Sequence, residues 1–235
     1  MSFYIVPTPI GNLEDITLRA IRVLKECDLI LCEDTRVTRK LLNHYDIKTQ
    51  TRSYHAQSKL TKIDGIIEEL REGKNIALVS DAGTPAISDP GSLLIKRIRE
   101  SLGGPTSKLA EEVRPLGIEI ISLPGPSALT AAHAASGVVG GEFVFLGFLP
   151  HKKGRETLFK EIADAARPYI FYESPHRLLK CLESLEKFAP TKRVFVAKEI
   201  SKIFEEYFAG SPKEILDIFR ANLDKLRGEF VIIVS

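Results

Sequence analysis

Short apolar runs alternate along the chain with segments whose apolar residues recur every three or four positions. Runs of this length are typical of buried strands, and the recurring spacing is typical of amphipathic helices. In the first half, the predicted strands are residues 3–7, 28–32, 50–54, 76–80 and 119–123. The predicted helices between them are residues 16–27, 36–45, 60–72 and 92–102. This alternation predicts a parallel five-stranded sheet with helices on both faces.

The second half has a different order of elements. Its predicted strands are residues 143–148, 169–173, 193–200, 205–209 and 229–234, and its predicted helices are residues 127–136, 155–166, 176–188 and 212–223. Two strands follow each other directly around residues 201–204, which predicts an antiparallel pair and a mixed sheet. We therefore predict two α/β domains, residues 1–124 and 125–235. Residues 101–117 interrupt the pattern, and we interpret them as a long loop with a short helix at 107–113.

Three loops rich in glycine and proline, residues 7–12, 80–91 and 124–128, each follow a predicted strand. Ligands of open α/β sheets bind at the carboxyl ends of the strands, so we expect these loops to converge on a site. Glycine lets a backbone approach a ligand closely. Asp81 is placed to accept hydrogen bonds from ribose hydroxyls or from an amino group. Ser127 is a good helix N-cap. Ordinary turns capped by Asp and Ser are the alternative.

Composition narrows the class of protein. The chain has 235 residues, 44% of them hydrophobic and 27% charged, with a net charge of +2, which is typical of a globular protein and neither indicates nor excludes a nucleic-acid partner. The apolar runs are too short to cross a membrane. Cys27, Cys32 and Cys181 are odd in number and have no zinc-site spacing, so we expect free thiols in a reduced cytoplasm and no metal.

Two common nucleotide-binding motifs are absent. The chain contains neither G-x-G-x-x-G nor G-x-x-x-x-G-K. A dinucleotide-dependent dehydrogenase and a P-loop enzyme therefore lose their main support. Two polar clusters remain as candidate chemistry, residues 33–36 and residues 171–177. Both admit a structural interpretation as caps and ion pairs, and both admit a role in contacting substrate.

Seven segments resemble the motifs of a known family, in the same order along the chain: YIVPTPIGNLEDIT, EDTR, LVSDAGTPAISDPG, LPGPSA, GFLPHKKGR, FYESPHRL and GEFVIIV. Between Phe3 and Val234 the chain resembles the 16S ribosomal RNA cytidine 2′-O-methyltransferases of the tetrapyrrole-methylase-like superfamily. The resemblance implies a homodimer of two-domain α/β subunits with S-adenosylmethionine in an interdomain cleft. It also implies methyl transfer to a cytidine ribose in the decoding region of the small ribosomal subunit.

The resemblance also assigns roles to individual residues. The implied cofactor-binding residues are Pro9, Asp81, Ala82, Gly83, Ile87, Ser88, Ser127, Ala128, Phe171 and Tyr172. A ribose 2′-hydroxyl is a poor nucleophile, so a base or an orienting group should assist. The candidate catalytic residues are Glu33, Asp34, Glu173 and Glu199, with Lys198 as a further option where arginine is more usual. The candidate RNA-binding residues are Arg36, Lys152, Lys153, Arg155 and Arg177.

Two alternatives remain open at this point. The first is an enzyme of the same fold that methylates a tetrapyrrole or a protein side chain, which would need an apolar acceptor pocket. The basic residues 152–155 argue against it. The second is an RNA-binding factor without catalysis, which would tolerate loss of Asp81 or of the Gly83 turn, and this sequence has both residues.

Overall fold

The computed structural model describes residues 1–55, 60–101 and 117–235. The chain divides into two compact units, Met1–Ser127 and Ala128–Ser235. Each unit holds one five-stranded sheet with helices packed on it. The predicted loop 101–117 and its short helix at 107–113 lie outside the described residues, except for the two end residues.

The sheet of the first unit is fully parallel. Its strands are β1 (Ser2–Ile5), β2 (Leu29–Cys32), β3 (Thr51–Ser53), β4 (Ile76–Leu78) and β5 (Glu119–Ser122). They lie in the order β3-β2-β4-β1-β5, so the first strand of the chain lies inside the sheet between β4 and β5. The prediction of a parallel five-stranded sheet is confirmed.

The helices of the first unit begin directly after the strand-end loops. They are α1 (Leu18–Glu26), α2 (Thr35–His44), α3 (Leu60–Arg71) and α4 (Gly91–Ser101). The Thr17 hydroxyl accepts a hydrogen bond from the Ala20 amide at 3.0 Å and so caps α1. The Asp34 carboxylate accepts from the Arg36 amide at 2.8 Å and caps α2. Each cap satisfies an amide that the helix itself leaves without a partner.

Successive strand residues face opposite sides of this sheet, which gives the unit two hydrophobic cores. Phe3, Leu31 and Leu78 pack against Ile66 of α3 and Leu94 of α4. The opposite core contains Val6, Ile30, Cys32 and Ala77 of the sheet and Leu24 and Leu41 of α1 and α2. The continuous apolar composition of the strands follows from this burial on both faces.

The sheet of the second unit is mixed, as predicted. Its strands are β6 (Val144–Phe148), β7 (Tyr169–Glu173), β8 (Val194–Lys198), β9 (Glu206–Gly210) and β10 (Phe230–Val234), in the order β6-β7-β10-β8-β9. Only β6 and β7 are parallel, and the other neighbours are antiparallel. The helices are α5 (Ala128–Ser136), α6 (Arg155–Asp164), α7 (Leu178–Phe188) and α8 (Pro212–Ala221).

The main core of the second unit lies between its sheet and helices α6 to α8. Phe219 of α8 is fully buried, and its ring lies 5.0 Å from that of Phe208 and 5.9 Å from that of Phe230. Helix α8 begins with a capping box in which Ser211 and Glu214 satisfy each other's backbone amides, and Pro212 follows the cap. These local signals explain why the predicted and observed starts of α8 coincide.

Strands β1, β4 and β8 each end two residues earlier than predicted, and β3 and β5 each end one residue earlier. Strand β4 ends at Leu78 rather than at residue 80, because the Ser80 carbonyl accepts the Thr8 hydroxyl at 3.0 Å instead of a strand partner. Strand β8 ends at Lys198 rather than at residue 200, because Glu199 has a φ of 53°. A positive φ places Glu199 outside the extended region of strands.

Candidate functional site

The loops that follow β1 and β4 are joined through their backbones. The amide of Thr8 donates to the Gly83 carbonyl at 3.0 Å, and the amide of Gly83 donates to the Thr8 carbonyl at 2.9 Å. The Ser80 hydroxyl donates to the same Gly83 carbonyl at 3.1 Å. Thr8 and Ser80 are both buried, so these bonds are shielded from water. Two loops that are distant in sequence therefore form one rigid strand-end structure.

The third loop is fixed to the other two by close packing. The Thr84 hydroxyl donates to the Pro126 carbonyl at 2.9 Å. A Cβ atom on Gly125 would come within 2.7 Å of Pro7 Cβ, so no side chain fits at that position. Gly83 has a φ of 83°, which favours glycine. The structure thus brings together three loops that the sequence analysis expected to converge.

The loop 80–91 exposes its outer residues while its base is braced from within. The Asp89 carboxylate accepts from the amides of Ala86 and Gly91, each at 2.8 Å. Ala86 has a φ of 71°, which this bracing holds in place. Ile87 and Ser88 project into solvent. Exposed residues on a braced loop can contact a ligand without further ordering of the backbone.

Three carboxylates lie at the ends of β2 and β4, and each has a different environment. The Asp81 carboxylate is exposed and accepts from the Asp34 amide at 3.1 Å. Burial raises the pKa of Glu33, and the negative charges of Asp89 and Asp81 raise it further. In contrast, the Arg36 guanidinium hydrogen-bonds to Asp34 and lowers the pKa of that carboxyl to about 2. Of these candidate catalytic residues, Glu33 is therefore the better proton acceptor, and Asp34 is a helix cap.

A pocket of about 180 Å³ opens beside these carboxylates. Pro9 of the first loop and Leu13, which begins the 3-10 helix Leu13–Asp15, line it together with Val37, Thr38 and Leu41 of α2. Thr8, Ser80, Asp81 and Lys40 complete the lining. The pocket is smaller than the roughly 300–1,000 Å³ of sites that enclose a drug-sized ligand.

The second unit carries a buried charge cluster at the end of β7. Glu173 is buried, and its carboxylate contacts Arg155 Nη2 at 2.8 Å and Arg177 Nε at 2.8 Å. The Ser174 amide also donates to this carboxylate, at 3.0 Å. The two guanidiniums donate in addition to backbone carbonyls, Arg155 to Pro150 at 3.1 Å and Arg177 to Leu149 at 3.0 Å. The cluster therefore ties the loop after β6 to the start of α7.

This cluster places a candidate catalytic residue and two candidate RNA-binding residues in one structural unit. The Glu173 carboxylate is held between the two guanidiniums. The guanidiniums are mostly buried and already paired. Lys152 and Lys153 differ, because both are exposed and neither forms an ion pair with a residue in the described parts of the chain. The geometry favours a structural role for Glu173, Arg155 and Arg177.

Lys198 is the last residue of β8, and Glu199 begins the turn between β8 and β9. Partial burial raises the pKa of Glu199, but hydrogen bonds from Lys202 and from the Glu229 amide, both at 2.8 Å, outweigh it and leave the pKa below its usual range. A Cβ on Gly228 would come within 2.5 Å of Glu199 Cγ. Lys198 Nζ lies 2.9 Å from Glu206. This ion pair engages the Lys198 side chain with the neighbouring strand β9.

The whole chain was compared with known proteins. A sequence model of the tetrapyrrole (corrin/porphyrin) methylases matches residues 2–103 and 101–216. The chain is 44% identical to "Ribosomal RNA small subunit methyltransferase I" of Thermotoga maritima, over 98% of this chain and 96% of that protein. It is 41% identical to the Bacillus subtilis protein of the same name, over 99% of this chain and 74% of that protein.

The chain belongs to the tetrapyrrole methylase family, and within it to the ribosomal RNA small subunit methyltransferase I group. Solved structures agree on the fold. The uroporphyrin-III-C-methyltransferase of Thermus thermophilus matches with a TM-score of 0.63 at 17% identity, over 100% of this chain and 94% of that chain. Cobalt precorrin-4 methyltransferase matches with a TM-score of 0.65 at 18% identity, with the same coverage.

Two further residues implied by the family resemblance lie on opposite faces of β7. The Phe171 ring is fully buried in the core of the second unit. Tyr172 faces the other way, and its ring lies 5.2 Å from that of Phe145 and 5.4 Å from that of Phe148. Burial raises the pKa of Tyr172. Because the Phe171 side chain lies in the core, Phe171 can contact a ligand only through its backbone atoms. The Tyr172 side chain, on the opposite face of β7, can contact a ligand directly.

Sequence reasoning missed several residues that shape the methyltransferase loops. Thr8, Thr84 and Asp89 supply the hydrogen bonds that join or brace the loops, and Thr38 lines the pocket. The two prolines that flank Thr8 were a visible signal of a rigid turn. No comparable signal marked Thr38, which the helical pattern assigns only to a position on α2.

The part of the chain that the structure describes contains neither a membrane-spanning helix nor a metal-binding cluster. No helix in this part of the chain is long and apolar enough to span a membrane. Within residues 1–55, 60–101 and 117–235, no group of three or more His, Cys, Asp or Glu side chains is arranged to hold a metal ion. Cys27, Cys32 and Cys181 are free and buried.

Proposed function

We propose that this protein transfers a methyl group from S-adenosylmethionine to the ribose 2′-hydroxyl of a cytidine in 16S ribosomal RNA. The observation that carries the proposal is the set of three joined loops at the carboxyl edge of the parallel sheet, with an exposed Asp81 at its centre. Support comes from relatives, named as ribosomal RNA small subunit methyltransferases, that are similar over nearly the whole chain.

The residues of the loops fit a nucleoside cofactor. Asp81 offers an exposed carboxylate to ribose hydroxyls, and Gly83, whose φ of 83° favours glycine, gives the loop its turn. Ala82, Ile87 and Ser88 are exposed beside them, and Pro9 lies on the neighbouring loop. Ser127 and Ala128, at the start of α5, and Tyr172 complete the set that we assign to the cofactor. When bound, S-adenosylmethionine supplies a methyl group already activated by its sulfonium, so that positioning and dehydration matter most.

Glu33 is the residue that we assign to the acceptor hydroxyl. It lies at the end of β2, and its raised pKa makes its carboxylate a stronger base than an ordinary glutamate. Asp34, Glu173 and Glu199 are each engaged with basic side chains. General base catalysis works best when the pKa of the base lies near the working pH. Glu33 would accept or orient the proton of the 2′-hydroxyl.

The proposal extends to the RNA and to the assembly. Lys152 and Lys153, exposed on the loop after β6, would contact phosphates without reading sequence. We infer that the enzyme works as a cytoplasmic homodimer on the small ribosomal subunit. Light scattering of the purified protein would measure the mass, and a monomer at micromolar concentration would contradict the dimer.

Calorimetry with S-adenosylmethionine tests the cofactor assignment. We expect Asp81→Asn to weaken binding about 10- to 100-fold, because it removes a charged hydrogen-bond acceptor. Asp64→Asn, on the exposed face of α3, is the matched control and should leave binding unchanged. A wild-type protein that binds no cofactor at millimolar concentration would exclude the enzyme.

A methylation assay identifies the acceptor. Small subunits that lack the modification and free 16S RNA would each be incubated with labelled cofactor, and nucleosides from the digested RNA would be separated. We expect label in 2′-O-methylcytidine. Label on a base nitrogen would refute the 2′-O assignment, and label in protein alone would favour the protein-acceptor alternative.

A further inference from the structure

The pocket beside Asp81 contains a buried hydroxyl that lacks a strong partner. Thr38 is 4% exposed, and none of the described residues gives its Oγ1 a hydrogen bond of normal geometry. A weaker interaction links it to the thiol of Cys32, a poor hydrogen-bonding group. A buried hydroxyl without a good partner is unfavourable, so such a group indicates a ligand or an ordered water.

The lining and the size of the pocket match one nucleobase. Its apolar lining residues are Pro9, Leu13, Val37 and Leu41. Thr38 and Ser80 supply polar groups to the same space. At about 180 Å³ the pocket is too small for the whole cofactor.

The pocket is lined by one cation and one anion. Lys40 and Asp81 are both lining residues, and Arg39 precedes Lys40 on α2. The side chains of Lys40 and Arg39 are exposed, and neither forms an ion pair with a described residue. An uncommitted cation at the pocket favours a ligand that carries a phosphate, and Asp81 can accept a hydrogen bond from a ring substituent. A nucleotide satisfies both groups better than a purely apolar ligand.

We infer that this pocket receives a single pyrimidine base of the RNA substrate, unstacked from its neighbours, while Lys40 and Arg39 contact the adjacent phosphates. The inference rests on the proposed function, because it takes the acceptor to be RNA. When a nucleotide is extruded from its stack, a pocket that holds the base fixes the orientation of the ribose attached to it. Thr38 then hydrogen-bonds to the edge of the base.

Two small ligands, one with a base and one without, distinguish binding of the base from binding of the phosphate. Saturation-transfer NMR would compare cytidine 5′-monophosphate with ribose 5-phosphate on the full chain. We expect signal on the base protons of the first ligand and a much weaker effect with the second. Equal binding of both ligands would overturn the inference, because the base would then contribute nothing.

Filling the pocket tests its location. Val37 is 40% exposed at the edge of the pocket, so Val37→Phe narrows the pocket without disturbing the core. We expect loss of cytidine monophosphate binding and a KM for RNA at least tenfold higher, with the Kd for S-adenosylmethionine unchanged. Leu18→Phe places the same ring at an exposed site on α1 outside the pocket and is the control. A weakened cofactor Kd with an unchanged KM for RNA would assign the pocket to the cofactor instead.

Thr38→Val removes the hydroxyl and keeps the shape. We expect a KM for RNA about 3- to 10-fold higher, the effect of one net hydrogen bond, with kcat little changed. Thr38→Ser should restore the wild-type value, which a merely structural role would not predict. Binding of cytidine monophosphate without RNA methylation would refute the proposed function and leave the pocket standing. RNA methylation that is insensitive to both Val37→Phe and Thr38→Val would refute the pocket alone.

Discussion

Carboxylates at strand ends have opposite environments in the two units. At the end of β2, partial burial raises the pKa of Glu33, and the nearby carboxylates of Asp89 and Asp81 raise it further. At the end of β7, Glu173 lies buried between Arg155 and Arg177. The same residue type at the same kind of position therefore has acidic neighbours in one unit and basic neighbours in the other. The tertiary neighbours decide the environment of the carboxylate, and sequence position does not.

The second cluster also shows why a group of charged residues is weak evidence for an active site. Glu, His and Arg within a few residues of a strand end resemble catalytic machinery in the sequence. In the structure, each charge of the ion pairs is met by another charge or by a carbonyl. Buried ion pairs of this kind are retained when breaking one partner leaves an unpaired buried charge.

The largest effect is expected from breaking the structural cluster. Glu173→Gln should lower the free energy of unfolding by about 3–5 kcal/mol, since it leaves two mostly buried guanidiniums without their anion. Urea denaturation would measure it. Glu183→Gln removes an exposed pair with Arg220 and should change stability by less than about 1 kcal/mol. A stable Glu173→Gln protein with abolished methyl transfer would reverse the comparison and make Glu173 catalytic.

The next effect concerns catalysis at Glu33. Glu33→Gln should lower kcat about 100-fold, within the usual contribution of a general base, while the Kd for S-adenosylmethionine stays unchanged. Single-turnover methylation of 16S RNA would measure the rate. Glu14→Gln, on the exposed 3-10 helix Leu13–Asp15, is the control. An unchanged rate would mean that positioning alone activates the hydroxyl.

A smaller effect is expected from disturbing the contact between the first and third loops. Gly125→Ala forces a Cβ to within 2.7 Å of Pro7, and overpacking of this kind destabilises a protein by about 1–3 kcal/mol. Cofactor affinity should fall with it, as calorimetry would show. Gly141→Ala has open space around the new Cβ and should change neither quantity. Equal behaviour of the two variants would mean that the loops are not rigidly joined.

The smallest effect is the pH dependence of stability that Glu33 confers. Its pKa is higher in the folded than in the unfolded chain, so its stabilising contribution is complete below the unfolded pKa and is lost as pH rises through the folded pKa. Glu33→Gln should therefore match the wild type in acid and exceed its stability at neutral pH. Thermal denaturation across this pH range would measure the difference in stability between Glu33→Gln and the wild type. A difference that grows as the pH falls would contradict the raised pKa of Glu33.

Much of the fold could be predicted because local patterns and topology agree. Apolar runs predicted the strands, and their alternation with helices predicted the parallel sheet of the first unit. The convergence of the three loops could be predicted because ligands of such sheets bind at the carboxyl ends of the strands. In contrast, the raised pKa of Glu33 depends on Asp89, which lies on another loop, and the pairing of Glu173 with Arg155 depends on two separate elements. Such contacts arise only after tertiary packing, which single-residue patterns do not contain.

The early end of β8 illustrates a further limit. Glu199 adopts a left-handed backbone because Lys202 and the Glu229 amide hold its carboxylate. The sequence pattern continues as a strand through Ile200 and gives no warning. Distant hydrogen bonds can override local β propensity in this way.

The inner position of β1 has a consequence for how the first unit is made on the ribosome. β1 is synthesised before the other strands of its sheet, yet its partners are β4 and β5, which are synthesised much later. Chains elongate at about 5–20 residues per second, so β1 waits unpaired for several seconds. Strands β2 and β3 can pair meanwhile. The nascent chain therefore exposes an apolar segment that holdase chaperones can bind, and a translational pause before β5 would lengthen that exposure.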